Sequence, residues 1–212
     1  MTERTVVHLV RHGEVHNPQG VLYGRLPGFL LSPLGERMAD RLAGFFAPRD
    51  VVRVVASPLD RARQTATPIA EELGLDVAID DRLLEAENVL QGRTVDVHQA
   101  ARDPRLWWYV RNPFRPSWGE PYQQVALRMH AAVEIAYEAA HGHEVVLVSH
   151  QLPIWVARLS AEHRHLWHDP RRRQCSLASV TSFAYEGGRL VSIGYAEPAG
   201  DLLPQASPVP GA

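Results

Sequence analysis

The sequence predicts an α/β protein: a three-layer α/β/α sandwich with a mostly parallel central sheet and a small inserted cap. Three observations carry this reading. Short β-branched runs alternate with segments of helical period, and several of those runs stop abruptly at polar residues. The alternation then lapses once, between Glu85 and Gly142, in a stretch rich in aromatic residues and proline. A chain of 212 residues suits one domain with a modest insertion better than two independent domains. The expected division is a single domain over residues 1–197, a cap over about 86–122, and a tail over 198–212 whose Pro, Ala and Gly content predicts little structure of its own.

Taken in order, Thr5 to Val10 is apolar and β-branched and ends at Arg11-His12-Gly13, which predicts a buried strand followed by a loop. Ser32 as cap and Pro33 in the first turn predict a helix to about Phe46, with Leu34, Met38, Leu42 and Phe45 on its inner face. Val51 to Ala56 is a second strand, ended by Ser57-Pro58 before a helix from about Leu59 to Leu73 that stops at Gly74. Asp76 to Ile79 is a short third strand. A helix from Gln123 to Ala140 places Val125, Met129, Val133 and Ala136 inward and closes the insertion. Glu144 to Ser149 is another buried strand, ending at His150 before a helix that begins near Leu152. Ala178 to Tyr185 and Arg189 to Tyr195 form a hairpin around Glu186-Gly187-Gly188.

Hydrophobic residues make up 45% of the chain and charged residues 22%, and the formal net charge is -2, so nothing draws the whole molecule toward nucleic acid or membrane. Any anion site must be a local cluster. The lone Cys175 excludes an intrachain disulfide and fits a reducing compartment. The apolar run in MTERTVVHLV is too short for a signal peptide or a membrane span, so the expected location is cytoplasmic.

Arg11-His12, Arg61, Glu85 and His150 all fall at strand ends or just beyond them, and an open α/β sheet gathers such loops at one edge. The combination has a chemical logic. Two guanidiniums offer forked donors to a phosphoryl group, two imidazoles can attack or stabilise it, and one carboxylic acid can protonate a leaving alkoxide. Such a set requires neither metal nor cofactor. A phosphoryl group in flight carries its charge on the equatorial oxygens, where preorganised cations act most strongly.

Val10-Arg11-His12-Gly13, the run Ser57-Pro58-Leu59-Asp60-Arg61-Ala62-Arg63-Gln64-Thr65-Ala66, Leu84-Glu85 and Val148-Ser149-His150 occur in an order that resembles the histidine phosphatase superfamily, also called phosphoglycerate mutase-like. The resemblance spans most of the chain. It implies a covalent phosphohistidine mechanism, with His12 as nucleophile and Arg11, Asn17, Arg61 and His150 holding the phosphoryl oxygens. Glu85 would be the general acid and later the base for water. Tyr23 and Gly24 would lend backbone donors, and Arg25 joins them as a candidate substrate-binding residue. Positive charge around His12 is consistent with the neutral imidazole that nucleophilic attack requires.

Departures from the family pattern sharpen the expectation. The loop from His12 to Asn17 is one residue shorter than in many relatives, which leaves His16 as an alternative or auxiliary ligand to Asn17. Glu87 competes with Glu85 for the acid role. Ala86-Glu87-Asn88 stands where glycolytic mutases place an arginine for the substrate carboxylate, which favours hydrolysis. Gly119-Glu120-Pro121 stands where relatives often carry Gly-Glu-Ser.

Other residues read more plainly. His163, His165 and His168 form an HxHxxH run, which is expected to be a surface cluster rather than a metal site. His8 is expected to be a satisfied core or interface histidine, and Arg63 a solvated helix residue. Trp107, Trp108, Tyr109, Trp118 and Tyr122 should pack a small cap, where Arg93, His98, Arg102, Arg105, Arg111 and Arg115 are candidate substrate selectors.

The expected activity is metal-independent hydrolysis of a phosphomonoester on a small phosphorylated metabolite. A phosphoglycerate-type mutase and a non-catalytic phosphate-binding module are the rivals. Expected partners are the small phosphorylated substrate alone, with no nucleic acid and no membrane, in a monomer or homodimer.

Overall fold

The structure, a computed structural model, describes residues 4–88, 91–93 and 119–207. The described elements run β1 (Arg4–Arg11), α1 (Pro33–Phe46), β2 (Val51–Ala56), α2 (Asp60–Leu73), β3 (Val77–Ile79), α3 (Tyr122–Ala139), β4 (Glu144–Ser149), α4 (Gln151–Ala161), β5 (Val180–Glu186) and β6 (Arg189–Ala196). The six strands form one sheet in the order β3-β2-β4-β1-β5-β6. Its first four strands are parallel, while the β5–β6 hairpin adds to β1 antiparallel. Gly187 and Gly188 both take positive φ at the tip of that hairpin, where a side chain would be strained.

The period of two along each strand divides the core between the two faces. Val7, Leu9, Val145 and Leu147 pack with Val125, Met129 and Ile154 of α3 and α4. Val10, Val54, Val146 and Val148 pack with Met38, Leu42, Phe46, Ala62 and Ile69 of α1 and α2. Each of these large, fully buried side chains contributes on the order of 1.5–3 kcal/mol relative to exposure. Phe46, rather than the expected Phe45, fills the inner position at the end of α1. Both lie about two turns beyond Met38, and the Leu42-Ala43-Phe46 face is the one turned to the sheet; Phe45 lies instead under the Arg49 guanidinium, 4.3 Å from its ring centroid.

Ser32 caps α1 as expected, its Oγ accepting the Gly35 N–H at 3.0 Å. The tail expectation needs correction. Ala199 and Leu202 are buried in the α1–α2 side of the core, with Leu203 and Ala206 packed against it. The Ser207 N–H donates to Glu14 Oε1 at 2.7 Å, and a 3-10 turn forms at Leu203–Gln205. The composition of this segment concealed a short apolar spacing that docks it. Residues 208–212 lie outside the described residues, as do the expected cap residues Trp107, Trp108, Tyr109 and Trp118 together with His98, Arg102, Arg105, Arg111 and Arg115. The chain leaves for that insertion at Asn88 and returns at Gly119, which form an isolated antiparallel bridge.

Candidate active site

Because β1, β2 and β4 are parallel, Arg11, Ser57 and His150 emerge at the same edge of the sheet. There the loop after β1 passes so close to the start of α1 that only glycine fits. A Cβ on Gly13 would lie 2.6 Å from the Gly35 carbonyl oxygen, and one on Gly35 would lie 2.0 Å from that of Glu14. The glycine of Arg11-His12-Gly13 is therefore a packing requirement. It lets α1 approach the residues that hold the imidazole.

His12 and His150 are both fully buried, with ring centroids 5.1 Å apart. His12 Nδ1 lies 2.8 Å from the Gly13 carbonyl oxygen. A carbonyl can only accept, so Nδ1 carries the proton and Nε2 keeps its lone pair. Nε2 has no partner. Burial, and then the Arg61 and Arg11 charges, hold the His12 pKa well below the ordinary imidazole value, with the Gly13 bond opposing. His150 Nε2 is bonded to Ser57 Oγ at 2.8 Å, and its Nδ1 is unpartnered. Burial, followed by the Arg61 charge, holds the His150 pKa well below the ordinary imidazole value as well. His150 is also the N-cap of α4 and makes no side-chain capping bond, so the positive end of that helix faces the same edge.

Arg61 enters from the first turn of α2 and is only 1% exposed. Its Nη2 donates to the Gly24 carbonyl at 2.6 Å, its guanidinium lies 4.7 Å from the Tyr23 ring centroid, and its Nε is unpartnered. Thr65 locks this turn to the loop after β1, donating to the Arg61 carbonyl and accepting the Gly13 N–H. Arg11 donates to the Cys175 carbonyl at 2.7 Å and leaves its Nε unpartnered.

Glu85 is 3% exposed. Oε1 accepts the Ala86 N–H at 2.8 Å, and Oε2 is unpartnered. Burial raises the carboxyl pKa, against the pull of the Ala86 bond and of Arg61, Arg173 and Arg11. Three backbone carbonyls hold the segment in place: Arg82 O accepts from Arg128, Leu83 O from Ser149 Oγ and Glu85 O from Arg25 Nε. Glu120 joins the outer two, accepting from Arg25 at 3.0 Å and from Arg128 at 2.8 and 3.0 Å. Glu87, by contrast, is exposed and paired with Arg25, so of the two glutamates it is Glu85 that is buried at the site.

The structure thus brings together Arg11, His12, Arg61, Glu85 and His150, with Tyr23 and Gly24 against Arg61. Two expected ligands are engaged elsewhere. The Asn17 amide closes its own loop, donating to the Val21 carbonyl and accepting the Val21 N–H, and His16 is exposed. Arg25 gives Nε, Nη1 and Nη2 to Glu85 O, Glu87 and Glu120, so it holds the acid-bearing segment instead of offering a free fork to substrate. Gly24 at φ +43 presents its carbonyl to Arg61. Arg63 is exposed, as expected. Of the HxHxxH run, His163 and His165 are exposed, whereas His168 turns inward, donating Nδ1–H to Leu166 O and accepting from Arg173 Nε at 2.9 Å.

Sequence reasoning missed Ser57, Thr65, Arg128 and Arg173. Ser57 and Thr65 lay within the quoted motif but were read only as its spelling. Arg173 is the last of three consecutive arginines, a run that carries no recognisable motif.

A doubly flanked α/β sheet whose edge holds two neutral, buried imidazoles beside two arginines that meet no carboxylate at ion-pair distance among the described residues is chemically suited to receive a phosphoryl group. Residues 7–197 match the histidine phosphatase superfamily (branch 1), and the chain belongs to that family. An uncharacterised protein of Mycobacterium tuberculosis is 57% identical over 200 residues, covering 94% of this chain and 99% of its own length. The probable phosphoglycerate mutase GpmB of Cronobacter sakazakii is 30% identical over 205 residues, covering 92% and 93%. Among solved structures, a mycobacterial glucosyl-3-phosphoglycerate phosphatase superposes with a TM-score of 0.71 at 27% identity, over 91% of this chain and 96% of that one.

Proposed function

We propose that the protein is a metal-independent phosphomonoester hydrolase working through a phosphohistidine at His12 on a small phosphorylated metabolite. The observation that carries this reading is the His12 ring. One nitrogen is fixed as a donor by Gly13 O, the other is buried, unprotonated and without a partner, and two guanidiniums flank it. In the first step Nε2 attacks phosphorus while the bond to the leaving oxygen breaks. Protonated Glu85 delivers its proton to that oxygen, and its raised pKa supports that state. Arg11 and Arg61 meet the charge on the equatorial oxygens. When Ser57 donates to Nε2 of His150, that ring carries its own proton on Nδ1 and adds a third donor. In the second step Glu85 carboxylate takes a proton from water as the oxygen attacks phosphorus, the N–P bond breaks, and inorganic phosphate leaves. The charge is met by guanidinium and imidazole, so no step calls for a metal.

One finding favours a second reading, a mutase: the 30% identity with a probable phosphoglycerate mutase. Against it, Ala86-Glu87-Asn88 offers no arginine after the acid. The test is turnover of an aryl phosphate with excess chelator, followed by acid-labile phosphate trapped on the His12 peptide by rapid quench. Release of inorganic phosphate with a trapped phosphohistidine supports the hydrolase. Isomerised phosphoglycerate without phosphate release would replace it with the mutase, and an inert protein would leave only binding.

A further inference from the structure

Arg173 lies on the loop between α4 and β5, two residues before Cys175, whose carbonyl accepts from Arg11 Nη1 at 2.7 Å and from Gln151 Nε2 at 3.3 Å. The other end of the Gln151 amide accepts from Arg173 Nη1 at 3.4 Å, and Gln151 directly follows His150. Arg173 also donates Nε–H to neutral His168 at 2.9 Å and meets the Tyr122 phenol at the start of α3. It therefore bridges α4 and α3 at the edge where the site opens.

Its partners are the unusual feature. Arg25, Arg82, Arg128 and Arg158 each meet a carboxylate within 3.0 Å. Among the described residues, Arg173 meets an imidazole, an amide and a phenol, and no carboxylate at ion-pair distance. Arg173 is half-buried, and partial burial lowers its pKa, with the Glu85 carboxyl the largest opposing influence. A half-buried guanidinium that meets only neutral partners keeps much of its charge available to an incoming anion. Five N–H donors exceed what three neutral acceptors use. Among the described residues Arg11 and Arg61 likewise meet no carboxylate at ion-pair distance, and in the hydrolase reading they serve one phosphoryl group.

Resting on the hydrolase reading above, we propose that Arg173 binds a second anionic group of the substrate, so that the preferred substrates are phosphomonoesters carrying a carboxylate or another phosphate a few bonds from the reacting phosphorus. The subsite is Arg173 steadied by His168 and Gln151. Because Gln151 joins it to the Cys175 carbonyl that also fixes Arg11, the two anion sites are held in register.

The matched probes are 3-phosphoglycerate and glycerol 3-phosphate, which differ by a carboxylate in place of a hydroxymethyl group. Binding of each is measured by calorimetry on His12→Ala protein, with Arg173 intact and with Arg173→Gln. Loss of one charge-assisted contact should weaken 3-phosphoglycerate by roughly 10–100-fold. Glycerol 3-phosphate should weaken by less than about threefold, and Arg173→Lys should restore part of the difference. Equal weakening of both probes, or no weakening of either, would overturn the proposal. Retained inorganic phosphate binding by Arg173→Gln shows that the fold is intact; if it is lost, Arg173→Lys carries the comparison by the same criterion. Turnover of the same two compounds by the otherwise unaltered protein tests the hydrolase reading separately, since the subsite is read from binding alone. If Arg173 instead served only to tune Glu85, its replacement would move the pH limb of turnover with both probes and leave their binding ratio unchanged, which would also sink the proposal.

Discussion

His8 and His12 lie on one strand and the loop that follows it, both out of water at 2% and 0% exposure, yet their environments are opposite. His8 has both ring nitrogens engaged, Nδ1 with Ser182 Oγ at 2.8 Å and Nε2 with Glu144 at 2.9 Å, and its ring lies edge-on to Phe46. His12 has one nitrogen engaged and one idle, as does His150, and the adjacent Arg61, Arg11 and Glu85 each carry an idle atom too. Leaving a buried polar atom unpaired costs roughly 1–3 kcal/mol. Several gathered at one sheet edge are available to a ligand, as the proposed phosphoryl group would use them. At the other end of β1 the same residue type is ordinary structure. Burial of a histidine therefore says little about function; the state of its second nitrogen says a great deal.

The largest effect should come from the idle nitrogen. His12→Ala should lower turnover of an aryl phosphate by at least about 1000-fold, since it removes the ring whose tautomer is fixed by Gly13 O with Nε2 left free to attack. Steady-state assay with chelator present reads this directly. A variant within tenfold of the original would place the nucleophile elsewhere and break the comparison at its centre.

Glu85→Gln comes next, with a loss of about 100-fold or more where the leaving alcohol is poor, and much less with a nitrophenolate that leaves unaided. The acid must be protonated for the first step, so kcat/KM should fall as pH rises through the raised Glu85 pKa. That limb should vanish in Glu85→Gln. An unaltered limb would assign the acid to another group.

A smaller effect tests the support of that acid. Glu120 joins Arg25, which donates to the Glu85 carbonyl, to Arg128, which donates to the Arg82 carbonyl. Glu120→Gln should reduce kcat about tenfold with little change in KM, because a displaced acid affects the transition state more than binding. Rescue by Glu120→Asp is not expected, the shorter side chain being unable to span both arginines. If KM rises while kcat holds, Glu120 acts on the substrate and not through Glu85.

Most of the fold was legible because each strand end coincided with a change from β-branched to polar residues, and each helix carried a period of apolar residues that survived into the packed core. Arg11, His12, Arg61, Glu85 and His150 were legible for a related reason, as they sit at strand ends or just beyond them. The contacts of Asn17 and Arg25 were not legible, because an amide and a guanidinium next to a phosphate motif look identical in sequence whether they face substrate or a neighbouring carbonyl, and Glu87 and Glu120 reach Arg25 only through the fold. Arg173 was invisible since its surroundings come from His168, Gln151 and Tyr122 on separate elements. The tail was hidden by its composition.

The smallest effect on turnover should come from His8→Ala, and its value lies in the contrast. Removing the ring leaves Ser182 and Glu144 without their shared partner and should cost about 2 kcal/mol of stability, while turnover stays within about twofold. The two ends also titrate in different windows. At the site, neutral His12 and His150 lie below the ordinary 6.5, so the unfolded chain binds more protons than the folded one just under that value. Stability from that end is full above pH 6.5 and is lost as pH falls toward the depressed values. At the other end, His8 and Arg49 hold the Glu144 carboxyl below the ordinary 4.5, so its contribution is full above that pH and is lost only in stronger acid. Glu85 acts in the opposite sense, favouring the folded state at lower pH, and Glu85→Gln removes it from the profile. On that background, urea midpoints followed from pH 7 to 3 should show an upper decline that flattens in His12→Gln and a lower decline that flattens in His8→Ala. A single decline unaffected by either substitution would mean that the two histidines are electrostatically equivalent, and that the idle nitrogen of His12 is not the distinguishing mark of the site.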